Sequence, residues 1–135
     1  MRPVAFLLVA AASAACASSA LSEPRAPKAE LKLQNWLQGK VAGAPVSCLS
    51  PYRAERMTII DDNTVLFRAG GKTVYRNDPP GGCYPMGGAG YSLVTRTPGS
   101  ALCSGDIAQV IDLRTGFSAG ACALGDFVPY RTARL

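Results

Sequence analysis

Four cysteines in a short, glycine- and proline-rich chain restrict its fold more than any other feature. The chain has 135 residues and five cysteines, of which Cys48, Cys83, Cys103 and Cys122 follow one another at steps of 35, 20 and 19 residues. An even set in a small exported chain reads as a disulfide framework. Each bond would contribute about 3–4 kcal/mol by restricting the unfolded chain, a large share of the stability of one small domain. A four-thiolate zinc site would need a C-x2-C knuckle, and none of the spacings supplies one. There is no C-x-x-C redox motif either. Four cysteines allow three pairings, and the sequence leaves all three open. The nested one, Cys48 with Cys122 and Cys83 with Cys103, would tie the two ends of the domain together and is the expectation here.

The amino terminus supports an oxidising compartment. Residues 1–20 read MRPVAFLLVAAASAACASSA: Arg2, then an uncharged apolar run from Val4 to Ala15, then small residues. This is the layout of a secretory signal peptide, and a run of about 12 apolar residues is too short for a bilayer-spanning helix of about 20. No later segment reads as a transmembrane span. Ala15-Cys16-Ala17 fits a signal-peptidase site that would release a soluble chain from Ser18. Ser13-Ala14-Ala15-Cys16 resembles a bacterial lipobox, which would make Cys16 the lipidated first residue, although Ser13 stands where an apolar residue is usual. The expected organisation is a signal peptide over 1–17 (or a lipoprotein signal ending before Cys16), a Ser/Ala/Pro-rich tether over 18–28, and one mostly β domain over 29–135. Both cleavage readings place the mature protein outside the cytoplasm, in the periplasm or cell envelope, with an outer-membrane lipoprotein as the lipidated form.

Within that domain, Ala29 to Gln38 is the helix candidate. Leu33, Trp36 and Leu37 share one face, and Gly39 suits its C-terminal end. Trp36 is the sole tryptophan; the spacing makes it the residue that docks the helix, with ligand stacking as the alternative. Beyond it the signals are β. A short strand is expected over Val41 to Leu49, interrupted at Pro45. Arg53 to Asp61 alternates, with Met57 and Ile59 toward one face and Thr58 and Ile60 toward the other. Asp61-Asp62-Asn63 reads as a turn. Thr64 to Arg68 and Lys72 to Asn77 flank Ala69-Gly70-Gly71 as a hairpin. The Asp78 to Gly82 stretch, with its prolines, ends that strand, and Tyr84 to Gly90 reads as a Gly-rich loop. Tyr91 to Thr97, Asp106 to Asp112 and Ala121 to Val128 complete the set. Short strands with regular turn clusters predict a small antiparallel barrel or sandwich with one short helix packed on it and two disulfides.

PVSCL (Pro45 to Leu49), IIDDNTVLFR (Ile59 to Arg68), VYRN (Val74 to Asn77), the Cys83 that follows, LCSGDI (Leu102 to Ile107) and ACALGDFVP (Ala121 to Pro129) follow one another along the chain. As an ordered set they resemble a family of small exported proteobacterial envelope proteins classed as a domain of unknown function. The resemblance covers about residues 41 to 130. It implies export, a mostly β domain and four matching cysteines, and it implies no activity.

Chemistry is sparse. With no histidine, the chain has no imidazole base, Ser-His or Cys-His nucleophile, or histidine metal ligand. No cofactor is expected. Paired carboxylates could hydrolyse a cell-wall glycan, and Asp61, Asp62, Asp106 and Asp112 are the candidates. Adjacent residues point to opposite sides of a strand, however, which suits Asp61 and Asp62 to a turn better than to a shared substrate. A calcium site from Asp61, Asp62 and Asn63 would lack the later ligands of an EF-hand loop. Gly87-Gly88-Ala89-Gly90 lacks the Lys-Ser/Thr pair and following helix of a phosphate loop. Ser100 or Ser104 would need Lys28, Lys32, Lys40 or Lys72 folded against it to act as a nucleophile.

The net charge is +5, spread over Arg53, Arg56, Arg68, Lys72, Arg76 and Arg96 among others. If Arg56, Arg68 and Arg76 shared an exposed sheet face, they could attract anionic lipid or polysaccharide. Otherwise they serve solubility and edge protection. The expected function is a non-catalytic exported envelope domain that binds an envelope protein or anionic surface rather than nucleic acid. The alternatives are a small secreted glycan hydrolase and a secreted inhibitor with a loop at Pro80 to Gly90 braced by Cys83.

Overall fold

The computed structural model describes residues 23–50 and 56–134. The signal peptide, Cys16, the start of the tether and Arg53 lie outside the described residues. Helix α1 (Pro27–Leu37) is followed by β1 (Lys40–Ala42), β2 (Cys48–Leu49), β3 (Arg56–Asp61), β4 (Thr64–Arg68) and β5 (Val74–Asn77). Then come β6 (Tyr91–Thr95), β7 (Leu102–Cys103), β8 (Ile107–Asp112), β9 (Ser118–Ala123) and β10 (Phe127–Thr132). The strands form three antiparallel sheets: β1-β10-β5-β4-β3, the short pair β2-β7, and β6-β8-β9. They do not close into a barrel; the sandwich alternative describes the packing.

The period-2 pattern of β3 and β4 explains the layering. Val65 and Phe67 of β4, with Met57 and Ile59 of β3, point to the main core, where they join Tyr75, Phe127, Leu93, Ala108 and Val110. The Phe67 and Phe127 rings meet edge-on at 5.5 Å, the geometry that aromatic quadrupoles favour. Leu66, Ile60 and Val74 point the other way and are covered by Leu33, Trp36 and Leu37 of α1. The helix therefore docks through the face read from its spacing. It ends at Leu37, and Gly39 follows in the left-handed region at φ +70°.

The helix begins at Pro27, inside the stretch expected to be tether, and Arg25 just before it is pinned. Its guanidinium pairs with Asp61 and Glu30 and donates to the Thr64 hydroxyl at 2.9 Å. Two expected strands are also divided. Val41–Leu49 splits into β1 and β2, which belong to different sheets. Ala121–Val128 splits into β9 and β10, which do the same. The second break falls at buried Leu124 and Gly125. The Asn77 side chain donates to the Gly125 carbonyl at 2.6 Å and accepts its N–H at 2.9 Å. A Cβ on Gly125 would lie 2.8 Å from the Asp78 carbonyl oxygen, so only glycine allows this approach.

The disulfides correct the nested expectation: Cys48 joins Cys103, and Cys83 joins Cys122. Cys48 and Cys103 stand directly opposite each other in the two-residue ladder β2-β7. Cys122 lies opposite Ala108, on the inner side of its sheet, where the loop carrying Cys83 covers it. The two ends of the domain are tied by the β1-β10 ladder, Lys40 opposite Thr132, and need no disulfide. Closing loops of 55 and 39 residues, each bond contributes about 4 kcal/mol in the chain-entropy picture. Both bonds fit an oxidising compartment.

Proteolysis without reduction is expected to keep Cys48 with Cys103 and Cys83 with Cys122; a peptide joining Cys48 to Cys122 would contradict this fold. Asn77→Ala leaves both polar groups of Gly125 unpaired in the interior, so urea unfolding should show a loss of about 2–4 kcal/mol.

Candidate functional site

Cross-strand register decides where the basic residues meet. Arg56 lies opposite Arg68, and Arg76 lies opposite Leu66. Since Leu66 faces α1, all three arginines share the helix side of the five-stranded sheet, the condition set by the sequence for an anionic-surface role. Arg76 drops out electrostatically. Its guanidinium binds Asp78 at 2.9 Å, and although burial disfavours its charge, Asp78 and Tyr130 outweigh that and raise its pKa.

Two lysines take its place. Lys40 in β1 has the same parity as Ala42, which pairs with Tyr130, which in turn pairs with Val74 of the helix-side face. Lys72 sits in the β4-β5 turn. Lys40, Arg68 and Lys72 surround a cleft of about 310 Å³ with Asn35, Trp36, Gly71 and Val74. The Arg68 guanidinium carbon lies 6.0 Å from the Trp36 ring centroid, within cation–π range. Among the described residues, no carboxylate forms a salt bridge with Lys40, Arg56, Arg68 or Lys72. Trp36 docks the helix as expected, packing against the Leu33–Ile60–Leu66–Val74 cluster, and it also lines the cleft. That Trp36 and Lys40 belong with Arg68 was not legible, because it requires the helix to cross the sheet.

The candidate aspartates are each engaged. Asp61 pairs with Arg25 and also accepts the Asn63 N–H at 2.8 Å, confirming the turn. Asp62 accepts the Gly87 N–H at 2.7 Å, and Asp106 accepts the Cys103 N–H at 2.7 Å. Asp112 at the far end of β8 accepts three hydrogen bonds from Arg114, two from the guanidinium and one from the backbone. Those guanidinium bonds first, and then the backbone N–H, hold the Asp112 carboxyl below the usual carboxylate range, the opposite of what a general acid needs. Beside Asp61, the charges run Asp61–Arg25–Thr64–Asp78–Arg76 in one bonded chain along an open depression.

Among the described residues, no group of His, Cys, Asp or Glu is arranged to hold a metal ion. The Gly-rich loop is a close-packed connection. Met86 is buried in the core, and a Cβ at Gly87 would lie 2.7 Å from the Asp62 backbone nitrogen. The same packing ties down the segment considered as an inhibitory loop, leaving Tyr84 as its exposed large side chain. Lys32 donates to the Ile59 carbonyl, and no Ser–Lys hydrogen bond involves Ser100 or Ser104 among the described residues. No described helix is long and apolar enough to cross a membrane. No family model, curated protein or solved structure matches this chain.

Folding lowers the Asp112 pKa, so the Asp112–Arg114 contact stabilises the loop above the ordinary carboxylate range and fades as pH falls through the lowered value. Carboxyl NMR titration of Arg114→Ala should move the Asp112 midpoint upward, toward that of a free aspartate.

Proposed function

We propose that this chain is a non-catalytic exported domain of the cell envelope that docks on an anionic surface through the helix side of its five-stranded sheet. Export through residues 1–17 belongs to this reading, with release from Ser18 or lipidation of Cys16 as the two mature forms. The resemblance of its motifs to those of small exported envelope proteins belongs to the same reading. One observation carries the proposal: Arg56, Arg68, Lys40 and Lys72 lie on one side without carboxylate partners among the described residues. Like charges gathered on one face repel one another, and an opposing anionic surface turns that cost into attraction. At about 1 kcal/mol per basic residue near an anionic membrane, four contribute about 4 kcal/mol, roughly a thousandfold in affinity. The glycan-hydrolase alternative has less support, since Asp61, Asp62, Asp106 and Asp112 each hold a structural partner.

Cosedimentation with vesicles separates these ideas. The protein should pellet with phosphatidylglycerol vesicles and not with phosphatidylcholine. Binding should fade as ionic strength rises from about 0.01 to about 1 M, where the screening length falls from ~30 to ~3 Å. Arg56→Glu/Arg68→Glu should abolish it. Binding that survives both the salt and the substitutions would sink the proposal.

A further inference from the structure

The cleft beside Trp36 adds a second kind of chemistry to the basic face. Its volume of about 310 Å³ lies at the low end of small-molecule sites, ~300–1,000 Å³, and suits one ring-sized group rather than a length of polymer. Val74 lies at its base and the half-buried Trp36 forms an aromatic wall. Asn35 provides an amide that can both donate and accept. Lys40, Arg68 and Lys72 bring three positive charges to the same opening. The cleft sets an indole wall beside three cations, so it can meet an apolar ring face and a negative charge together. A ligand carrying both on one molecule would use every group that lines it.

Trp36 also organises the charge. Its contact with Arg68 restrains the guanidinium, while none of the side-chain hydrogen bonds among the described residues uses the Arg68 N–H donors. Those donors match phosphate oxygens in fork geometry, and the two lysines act as point charges beside them. A phosphate monoester carries about −1.5 to −2 charge near neutral pH, which suits three converging cations better than a carboxylate does. A pyranose offers a face of positively polarised C–H groups to the negative face of an indole.

We propose that the cleft binds a phosphorylated sugar ring, either free or as the headgroup of an anionic glycolipid. The C–H face of the sugar would lie along Trp36, a hydroxyl would meet Asn35, and the phosphate would sit among Lys40, Arg68 and Lys72. The assignment rests on the surface-docking reading and names what on the surface is recognised.

Because Trp36 is the sole tryptophan, its emission reports on this cleft directly. Titration with glucose 1-phosphate should give a saturable change, at a half-saturation at least about tenfold below those of glucose and inorganic phosphate. Lys40→Ala/Lys72→Ala leaves the Trp36 packing in place and should weaken the response at least about tenfold. Inorganic phosphate as effective as glucose 1-phosphate would overturn the proposal in favour of charge alone. Tighter binding of AMP would overturn it in favour of a nucleotide, and an unaltered response in the double variant would remove the ligand from this cleft.

The two readings fail separately. Docking on phosphatidylglycerol vesicles with no response to glucose 1-phosphate sinks the sugar site and leaves surface docking. A specific glucose 1-phosphate response without vesicle docking leaves the site and sinks docking. With vesicles bearing a phosphorylated glycolipid, displacement by glucose 1-phosphate assigns the headgroup as a source. A specific response to the free compound without such displacement assigns the free sugar phosphate.

Discussion

The crossover at Leu124-Gly125-Asp126 holds the two main sheets in one domain. β9 ends in the three-stranded sheet and β10 begins between β5 and β1, so the chain changes sheets within three residues. Such a short passage through the interior leaves backbone groups without ladder partners. Asn77, fully buried, satisfies both polar groups of Gly125. The Leu124 N–H donates to the Asp106 carbonyl at 2.9 Å, and its carbonyl accepts the Gly105 N–H at 2.8 Å. Remove this polar accounting and β10 loses its entry point, β1 loses its ladder with β10, and the helix is no longer led to the far edge of the sheet.

The candidate site is downstream of that arrangement. Lys40 reaches the cleft because β1 pairs with β10, and Trp36 reaches it because α1 must cross from its contacts with β3 to β1. Arg68 and Lys72 come from one hairpin. The disulfides brace other places: one locks the small β2-β7 ladder, and the other fastens the Gly-rich loop to β9. Charge and covalent bracing are thus separated, and the basic face is built almost wholly by sheet register and one helix.

Local signals were read well where the structure is local. The alternation of Met57 and Ile59 against Ile60, the Asp61–Asn63 turn and the Ala69–Gly71 hairpin follow from side-chain period and turn chemistry, and all three stand. The spacing of Leu33, Trp36 and Leu37 identified the buried face of α1. The misses are non-local. β7 escaped notice because a two-residue strand has no period to detect. Ala121–Val128 looked continuous because the same small and apolar residues suit either sheet. The nested cysteine pairing failed with it, since only the register of β2 with β7 sets Cys48 opposite Cys103. At the site, the common face of Arg56, Arg68 and Arg76 could be stated only as a condition, and neutralisation of Arg76 by Asp78 was not foreseen.

The amino-acid sequence by itself determined a mostly β domain with one docked helix, four cysteines spaced along it, and a basic chain without imidazole chemistry. These properties depend on composition and on contacts between near neighbours, so they are written along the chain. Tertiary structure alone decided which cysteines bond, which strands share a sheet, and which cations gather around Trp36. Those decisions bring together residues 28, 55 and 92 positions apart: Lys40 with Arg68, Cys48 with Cys103, and Lys40 with Thr132. Strand pairing sets such distances through a register that the sum of buried contacts selects, and no short window of sequence contains that sum.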